Sequence, residues 1–223
     1  MSTKTKGTLV VVSGFSGAGK GTIMKGLMEK YGDNFALSVS ATTRSPRPGE
    51  IEGVHYFFKT KEEFENMIAN GELVEYAAYV NSYYGTPKSY VDQQLEAGKN
   101  VILEIEMQGA FQVKEKFPET VLLFVTTPSA TELRNRLVGR GTETPEVIEA
   151  RLSQACRESM RMHEYDYLII NDDLEKCIDS VNSMIMNESL GNKELNCEYR
   201  MSSNQEFIDK MKQELNEFWK GDN

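Results

Sequence analysis

One nine-residue run, Gly14-Phe15-Ser16-Gly17-Ala18-Gly19-Lys20-Gly21-Thr22, constrains this chain more than any other segment. It follows the apolar stretch Thr8 to Ser13 and precedes Ile23, Met24, Leu27, Met28 and Tyr31, whose i, i+4 spacing predicts a buried helix face. A strand, a glycine-rich turn, a lysine and a helix in that register form a cradle for an anion. The glycines let successive backbone N–H groups point inward and the helix start adds partial positive charge, while Lys20 adds a full charge that follows the β- and γ-phosphates of a nucleotide. The pattern GxxxxGK[ST] fails by one position, because Gly21 stands where the magnesium-binding hydroxyl is expected and Thr22 follows it. Mg²⁺ accompanying such a triphosphate is therefore expected to be held mainly by phosphates and water, with Thr22 helping indirectly and no direct protein ligand.

Short apolar runs recur downstream, at Asn100 to Glu106, Thr120 to Thr126 and Tyr167 to Asn171, with segments of helical period between them. Strands alternating with crossover helices predict an α/β fold, and runs that are nearly continuous predict strands buried on both faces of a parallel sheet flanked by helices. Ser129 with Glu132 predicts a capping box ahead of Leu133 and Leu137, and Thr144-Pro145-Glu146 predicts a helix start reaching to about Met162. Asp172 or Asp173 caps a helix whose stripe is Leu174, Cys177, Ile178, Val181 and Ile185. Residues 36–98 break the alternation: ALSVSA, VHYFFK and ELVEYAAYV have strand composition and one helix near Lys61 to Asn70, which predicts an inserted small sheet. The polar stretch Gly139 to Glu146 reads as a mobile loop. After a polar change of character near Asn187, Ser203 and Glu206 predict a second capping box before Phe207, Ile208, Met211, Leu215, Phe218 and Trp219. That stripe serves either packing on the chain's own core or contact in a homo-oligomer.

Composition narrows the function classes. With 25 Lys+Arg against 34 Asp+Glu the net charge is −9, which excludes a basic nucleic-acid coat and requires any phosphate ligand to be held by local charge and backbone dipoles. The 39% hydrophobic and 26% charged content is that of a globular protein, and 223 residues bound it to one domain or one core with insertions. The cysteines, Cys156, Cys177 and Cys197, are odd in number and widely spaced, which argues against a disulfide framework or a zinc site. No apolar run approaches the ~18 residues of a membrane span, and Lys4 and Lys6 precede too short an apolar run for a secretory signal. A cytoplasmic protein with neither membrane nor nucleic acid as partner is expected.

A second anion site is read at Ser40-Ala41-Thr42-Thr43-Arg44-Ser45-Pro46-Arg47-Pro48-Gly49-Glu50, where prolines stiffen a stretch with two arginines three apart. Polyproline II has three residues per turn, so both guanidinium forks can face one way and suit a phosphate monoester. Alone, the stretch fits a solvated basic loop equally well. Tyr56, Glu75 and Tyr83-Tyr84-Gly85-Thr86 follow in the inserted sheet.

The segments GFSGAGKGT, SVSATTRSPRPGE, GVHYFF, GELVEYAAYVNSYYGTP, LEIEMQG, LRNRLVGRGTETPEVIEARL and YDYLIIND resemble, in order and spacing, those of guanylate kinases, which transfer phosphate from ATP to GMP in purine nucleotide metabolism; the match runs from about Thr8 to Met186. The resemblance implies a P-loop NTPase core with a parallel sheet (residues 1–35 and 99–190), a lid at about 137–150, a β-rich GMP-binding subdomain at 36–98, and a C-terminal extension at 191–223 without an assigned counterpart. It implies that Gly14 through Thr22 bind ATP, that Arg44, Arg47, Tyr56 and Tyr84 hold the GMP phosphate, and that Ser40, Glu75, Thr86 and Glu106 line the guanine pocket, with dGMP a further substrate. A carboxylate such as Glu75 accepts guanine's N1–H and N2 amine together, whereas adenine would oppose it with an acceptor, and sites of this kind discriminate by roughly 10⁴–10⁵. Without its neighbours Glu75 would read as a solvated strand carboxylate. The chain departs from the family pattern in three respects: Phe15 for proline, Thr86 for serine, and the pair Glu104 and Glu106 for aspartate. The first is expected to contribute backbone only.

The expected chemistry is in-line attack by the already anionic GMP phosphate, which leaves the protein to position and neutralise. The resemblance makes Lys20, Arg44, Arg140 and Arg151 catalytic, the last two closing with the lid, and Arg136 a neighbouring contact; spacing alone fits the solvent face of a helix for Arg134, Arg136 and Arg140 equally well. His55 and His163 are expected to be structural or at the surface. Two alternatives stay open: another nucleoside monophosphate kinase, since GKGT also resembles adenylate kinases, and a non-catalytic guanylate-kinase-like module that binds protein.

Overall fold

The computed structural model describes residues 6–79, 81–141 and 143–218. Lys4, Val80, Thr142 and Trp219, which the sequence reading used, lie outside them. In chain order the elements are β1 (Leu9–Gly14), α1 (Lys20–Tyr31), β2 (Phe35–Leu37), β3 (Ala41–Thr42), β4 (Phe57–Phe58), α2 (Lys61–Ala69), β5 (Leu73–Tyr79), β6 (Ser82–Pro87), α3 (Lys88–Glu96), β7 (Asn100–Glu104), α4 (Met107–Lys116), β8 (Val121–Thr126), α5 (Ala130–Gly139), α6 (Pro145–Ser159), β9 (Tyr167–Ile170), α7 (Leu174–Ser189) and α8 (Gln205–Phe218). Short 3₁₀ turns lie at Gly32–Asn34, Met162–Glu164, Lys193–Tyr199 and Met201–Asn204. The strands form a five-stranded sheet, order β2-β7-β1-β8-β9, and a four-stranded sheet, order β4-β3-β6-β5. The four apolar runs are the long strands of the first sheet, and all six residues of β8 are buried, as a strand covered on both faces requires. No described helix is long and apolar enough to cross a membrane.

The chain divides into two compact units, Met1–Val11 with Gly32–Val121, and Val12–Tyr31 with Leu122–Asn223. In the first, the run ALSVSA splits between two sheets: β2 pairs in parallel with β7, with Phe35 opposite Asn100, whereas Ala41–Thr42 becomes β3 of the smaller sheet. The smaller sheet closes over Ala41, Phe64 and Leu73, with the Phe64 and Tyr83 rings stacked at 5.3 Å. Its helix α2 starts at a complete capping box, Thr60 with Glu63. In β5 the register slips between Leu73, opposite Pro87, and Tyr76, opposite Gly85. This is a bulge, the device that re-aims a side chain beside a site, and Glu75 lies in it.

In the second unit α1 buries Ile23, Met24 and Leu27 as the spacing predicts. Ser129 Oγ accepts from Glu132 N and Asp173 accepts from Lys176 N, so both predicted N-caps are in place. Leu174 departs from the predicted stripe: it is 37% exposed, because the first turn of α7 leaves it outside, and Met184 is buried in the stripe. The predicted cap at Ser203 also fails. A 3₁₀ turn occupies Met201–Asn204, and the Ser203 hydroxyl donates instead to the carbonyl of Cys197. α8 packs on α5 and α6 through Ile208, Met211 and Leu215, all buried, and Glu214 accepts from Ala130 N at the start of α5. Arg200 forms an antiparallel bridge with Tyr167 of β9, the last strand of its sheet. All three cysteines are free.

Candidate functional site

The glycine-rich turn has the backbone its sequence demands. Gly14, Gly17 and Gly19 adopt φ of 148°, 95° and 93°, a region that L side chains rarely enter. A Cβ at Gly19 would lie 2.4 Å from Asn171 Nδ2, which donates to the Ala18 carbonyl at 2.8 Å. Asn171 thus holds the outside of the turn, and its own carbonyl accepts from Arg136 Nη2 at 2.9 Å. Phe15 does more than lend backbone. Its ring is fully buried and meets Phe124 edge-to-face at 5.0 Å, while its N–H donates to the Val125 carbonyl, so the turn is pinned to β8. Ala18 is buried, Lys20 opens α1 and donates from Nζ to the carbonyls of Gly14 (2.7 Å) and Phe15 (3.1 Å), and Gly21 and Thr22 are exposed in the first helical turn.

Beside this turn, Arg151 Nη1 of α6 donates to the Ser16 hydroxyl and Nη2 pairs with Glu143 at 2.7 Å. Arg140, exposed at the C-terminal cap of α5, approaches the same Glu143 oxygen at 4.0 Å. Both arginines predicted to close over the phosphates therefore converge on one carboxylate, Glu143, in the connection between α5 and α6. Glu143 Oε2 and Arg151 Nε are buried without a hydrogen-bond partner among the described residues, so the cluster has spare donor and acceptor capacity. Arg136 is tied to Glu132 and Asn171, and Arg134 is exposed.

The first unit carries the other predicted residues. Glu75 is 5% exposed and its Oε1 accepts from the Thr86 hydroxyl at 2.8 Å. Burial pushes its carboxyl above the ordinary range, opposed by Thr86 and by the nearby charge of Lys116. Lys116 Nζ donates to the carbonyl of Val74, the residue before Glu75, at 3.0 Å. α4, preceded by the exposed Glu106, whose side chain makes no capping hydrogen bond, passes the carboxylate at Gly109, where a Cβ would lie 3.0 Å from Glu75 Oε2. Ser40, half-buried, precedes β3 and accepts from Phe57 N through its carbonyl.

Arg44, Tyr56 and Tyr84 are brought together. The Arg44 guanidinium lies over the Tyr56 ring at 4.9 Å, the Tyr56 and Tyr84 rings are 6.1 Å apart, and Tyr84 adds to the stabilisation of the charged guanidinium. Arg47 lies exposed. Glu50 meets Arg44 fork to fork at 2.6 and 2.7 Å, which drives its carboxyl down to about 2. His55 is exposed, its Nδ1 accepting from Ile51 N, and His163 is exposed in a 3₁₀ turn.

The model of the guanylate kinase family matches residues 6–188. The chain belongs to the guanylate kinase family. It is 51% identical over 197 residues to the guanylate kinase of Oceanobacillus iheyensis, covering 88% of this chain and 95% of that one, and 53% identical over 182 residues to that of Lactococcus lactis, covering 82% and 88%. A crystal structure of guanylate kinase from Anaplasma phagocytophilum superposes with a TM-score of 0.66 at 33% identity, covering 83% of this chain and 88% of that chain. As a guanylate kinase the chain is an enzyme of the transferase class with the P-loop fold. Within this frame the residues missed from sequence are Glu50, Glu143, Asn171 and Gly109. Pro48-Gly49 signalled the turn that returns Glu50, whereas nothing in the chain's local pattern marked Asn171, which reaches the glycine turn from 153 positions away.

Proposed function

We propose that this guanylate kinase moves the γ-phosphoryl group of ATP to GMP or dGMP, reversibly, with the guanine end of the acceptor at Glu75, Thr86, Ser40 and Glu106 and its phosphate at Arg44, Arg47, Tyr56 and Tyr84. The observation that carries this reading is that one unit holds both a buried carboxylate on its four-stranded sheet, hydrogen-bonded to Thr86, and, in the loop between β3 and β4, an arginine beside two phenols. A carboxylate selects the paired donors of guanine, and the arginine with its phenols selects a phosphate monoester.

The turn Gly14–Thr22 receives the ATP phosphates. Lys20, whose Nζ rests on the carbonyls of Gly14 and Phe15, shifts to the β/γ oxygens and neutralises charge developing there. Among the described residues no cluster of three or more His, Cys, Asp or Glu side chains is arranged for a metal ion. A Mg²⁺ brought with ATP fits best on the phosphate oxygens and water, with the exposed Thr22 hydroxyl as the chain's own contribution, and it would supply further neutralisation of the β/γ charge. Arg140 and Arg151 exchange Glu143 and Ser16 for phosphate oxygens when the lid closes, and closure keeps water from the transferring group. The GMP phosphate oxygen attacks in line and needs no base, being already ionised. A cytoplasmic location belongs to the same proposal and is supported by the free thiols.

A coupled assay offering ATP with GMP, dGMP, AMP, UMP or IMP tests the proposal. Turnover confined to the guanine nucleotides is expected. Equal use of AMP would move the assignment to another monophosphate kinase, and calorimetric heat with GMP but no turnover would mark a binding module.

A further inference from the structure

The loop between β3 and β4 contains a structural device separate from the residues that touch substrate. Arg47-Pro48-Gly49-Glu50 closes a β-turn, with Glu50 N donating to the Arg47 carbonyl at 3.0 Å and Gly49 at φ 87°. Proline then glycine at the two central positions is the chemistry of a type II turn. The turn brings the Glu50 carboxylate back beneath Arg44: Nη1 donates to Oε2 at 2.7 Å and Nη2 to Oε1 at 2.6 Å, while Nη1 also donates to the Ser45 carbonyl at 2.9 Å. Glu50 Oε2 further accepts from Arg47 N at 2.7 Å. The Arg44 and Glu50 side chains are only 16% and 17% exposed, and the guanidinium lies over the rings of Tyr56 and Phe58 at 4.9 and 5.9 Å.

We infer that Glu50 is a positioning residue for the acceptor phosphate: it grips the end of the Arg44 guanidinium and the Arg47 backbone, fixing the arginine so that its remaining edge meets GMP. This inference rests on the assignment of Arg44 to the GMP phosphate. Of the five N–H groups of Arg44, three are directed to Glu50 and Ser45, and the Tyr84 phenol also interacts with the guanidinium, so a ligand is met on the side that Glu50 leaves open, beside Tyr84. Two effects oppose each other. The Glu50 charge repels an incoming phosphate, and the same charge removes the rotamer freedom of a long side chain that would otherwise be ordered at binding. With bidentate geometry, a turn that aims it and two aromatic rings beneath, preorganisation outweighs the repulsion, so neutralising Glu50 weakens GMP rather than strengthening it.

The test compares the wild type with Glu50→Gln, Glu50→Asp, Arg44→Lys and the Glu50→Gln/Arg44→Lys double variant, by steady-state kinetics with GMP and ATP and by inhibition with guanosine and with inorganic phosphate. Glu50→Gln is expected to raise the GMP KM roughly 3- to 10-fold and to weaken phosphate inhibition in parallel, leaving the ATP KM and guanosine inhibition within about twofold. Glu50→Asp, which keeps the charge with a shorter reach, is expected to recover part of the loss. The double variant is expected to be no worse than Arg44→Lys alone. Tighter binding of GMP or phosphate by Glu50→Gln would overturn the inference by making Glu50 a competitor of the ligand; so would equal weakening of guanosine, which marks general loop damage, or additive losses in the double variant. If Glu50→Gln does not fold, Glu50→Asp decides on the same split between GMP and guanosine. A wild type that binds neither GMP nor phosphate would overturn the substrate assignment itself, a result distinct from any of these.

Discussion

Replacing Glu75 with Gln changes one oxygen to an amide nitrogen, and the structure determines which. The Thr86 hydroxyl donates to Oε1 at 2.8 Å, so the glutamine keeps its carbonyl oxygen there and places its NH₂ where Oε2 was. That NH₂ then confronts a guanine donor instead of accepting from it. Losing one hydrogen bond to a charged acceptor costs about 1.5–3 kcal/mol, which is roughly a 10- to 100-fold rise in the GMP KM before the donor–donor clash is added. The ATP KM is expected to stay put. Kinetics with IMP, which has N1–H but no N2 amine, sharpen the test: the preference for GMP over IMP should shrink in the variant. Stability moves the other way. Burial raises the Glu75 pKa, so the folded chain holds this proton more tightly than the unfolded chain, and the contribution to stability is lost as pH rises from the ordinary carboxylate value through the raised one. Glu75→Gln removes that segment of the pH dependence, and thermal melts between about pH 4 and 8 should show the variant at least as stable as the wild type at neutral pH. An unchanged GMP KM, or ATP and GMP KM values that rise together, would refute the assignment of this carboxylate to the base.

Lys20→Met should lower kcat at least about a hundredfold, because it removes the charge that the turn places beside the β/γ oxygens; near-normal turnover would remove the cradle from the mechanism. Gly19→Ala combines a φ of 93° with a Cβ 2.4 Å from Asn171 Nδ2, and is expected to raise the ATP KM at least about tenfold and to lower the melting temperature, measured by coupled assay and calorimetry. Leu215→Ala in α8, from a fully buried site, should cost about 2–5 kcal/mol in urea unfolding while turnover at 25 °C persists. An unchanged midpoint would mean that α8 is not docked in solution.

Much of the parallel sheet could be read in advance because strands covered on both faces must be apolar throughout, and the runs at Leu9, Asn100, Val121 and Tyr167 leave no other economical reading. The short β2 could not, since three residues, Phe35–Leu37, carry too little pattern to separate them from the β3 run only three residues on. Glycine and lysine spacing marked the turn between β1 and α1 directly, yet the burial of Phe15 depends on Phe124, far along the chain. The Glu75 carboxylate shows the same division. Its residue type was legible, but its aim comes from a bulge, and a bulge is a mismatch between two strands that neither strand's sequence contains alone. The capping box at Ser203 failed because an i, i+3 pair of residue types specifies a helix start only if the helix begins there, and the 3₁₀ turn Met201–Asn204 delays it.

The bridge from Arg200 to Tyr167 bears on what the β9 edge of the larger sheet offers to its surroundings. β9 ends its sheet, and an uncovered strand edge offers a template to any passing chain. By laying its own backbone along that edge, with Met201 N also donating to the Asp166 carbonyl, the C-terminal segment acts as a guard rail against intermolecular β-stacking. A shortened chain lacking it would meet crowding with one side of its sheet open to fibril-like growth.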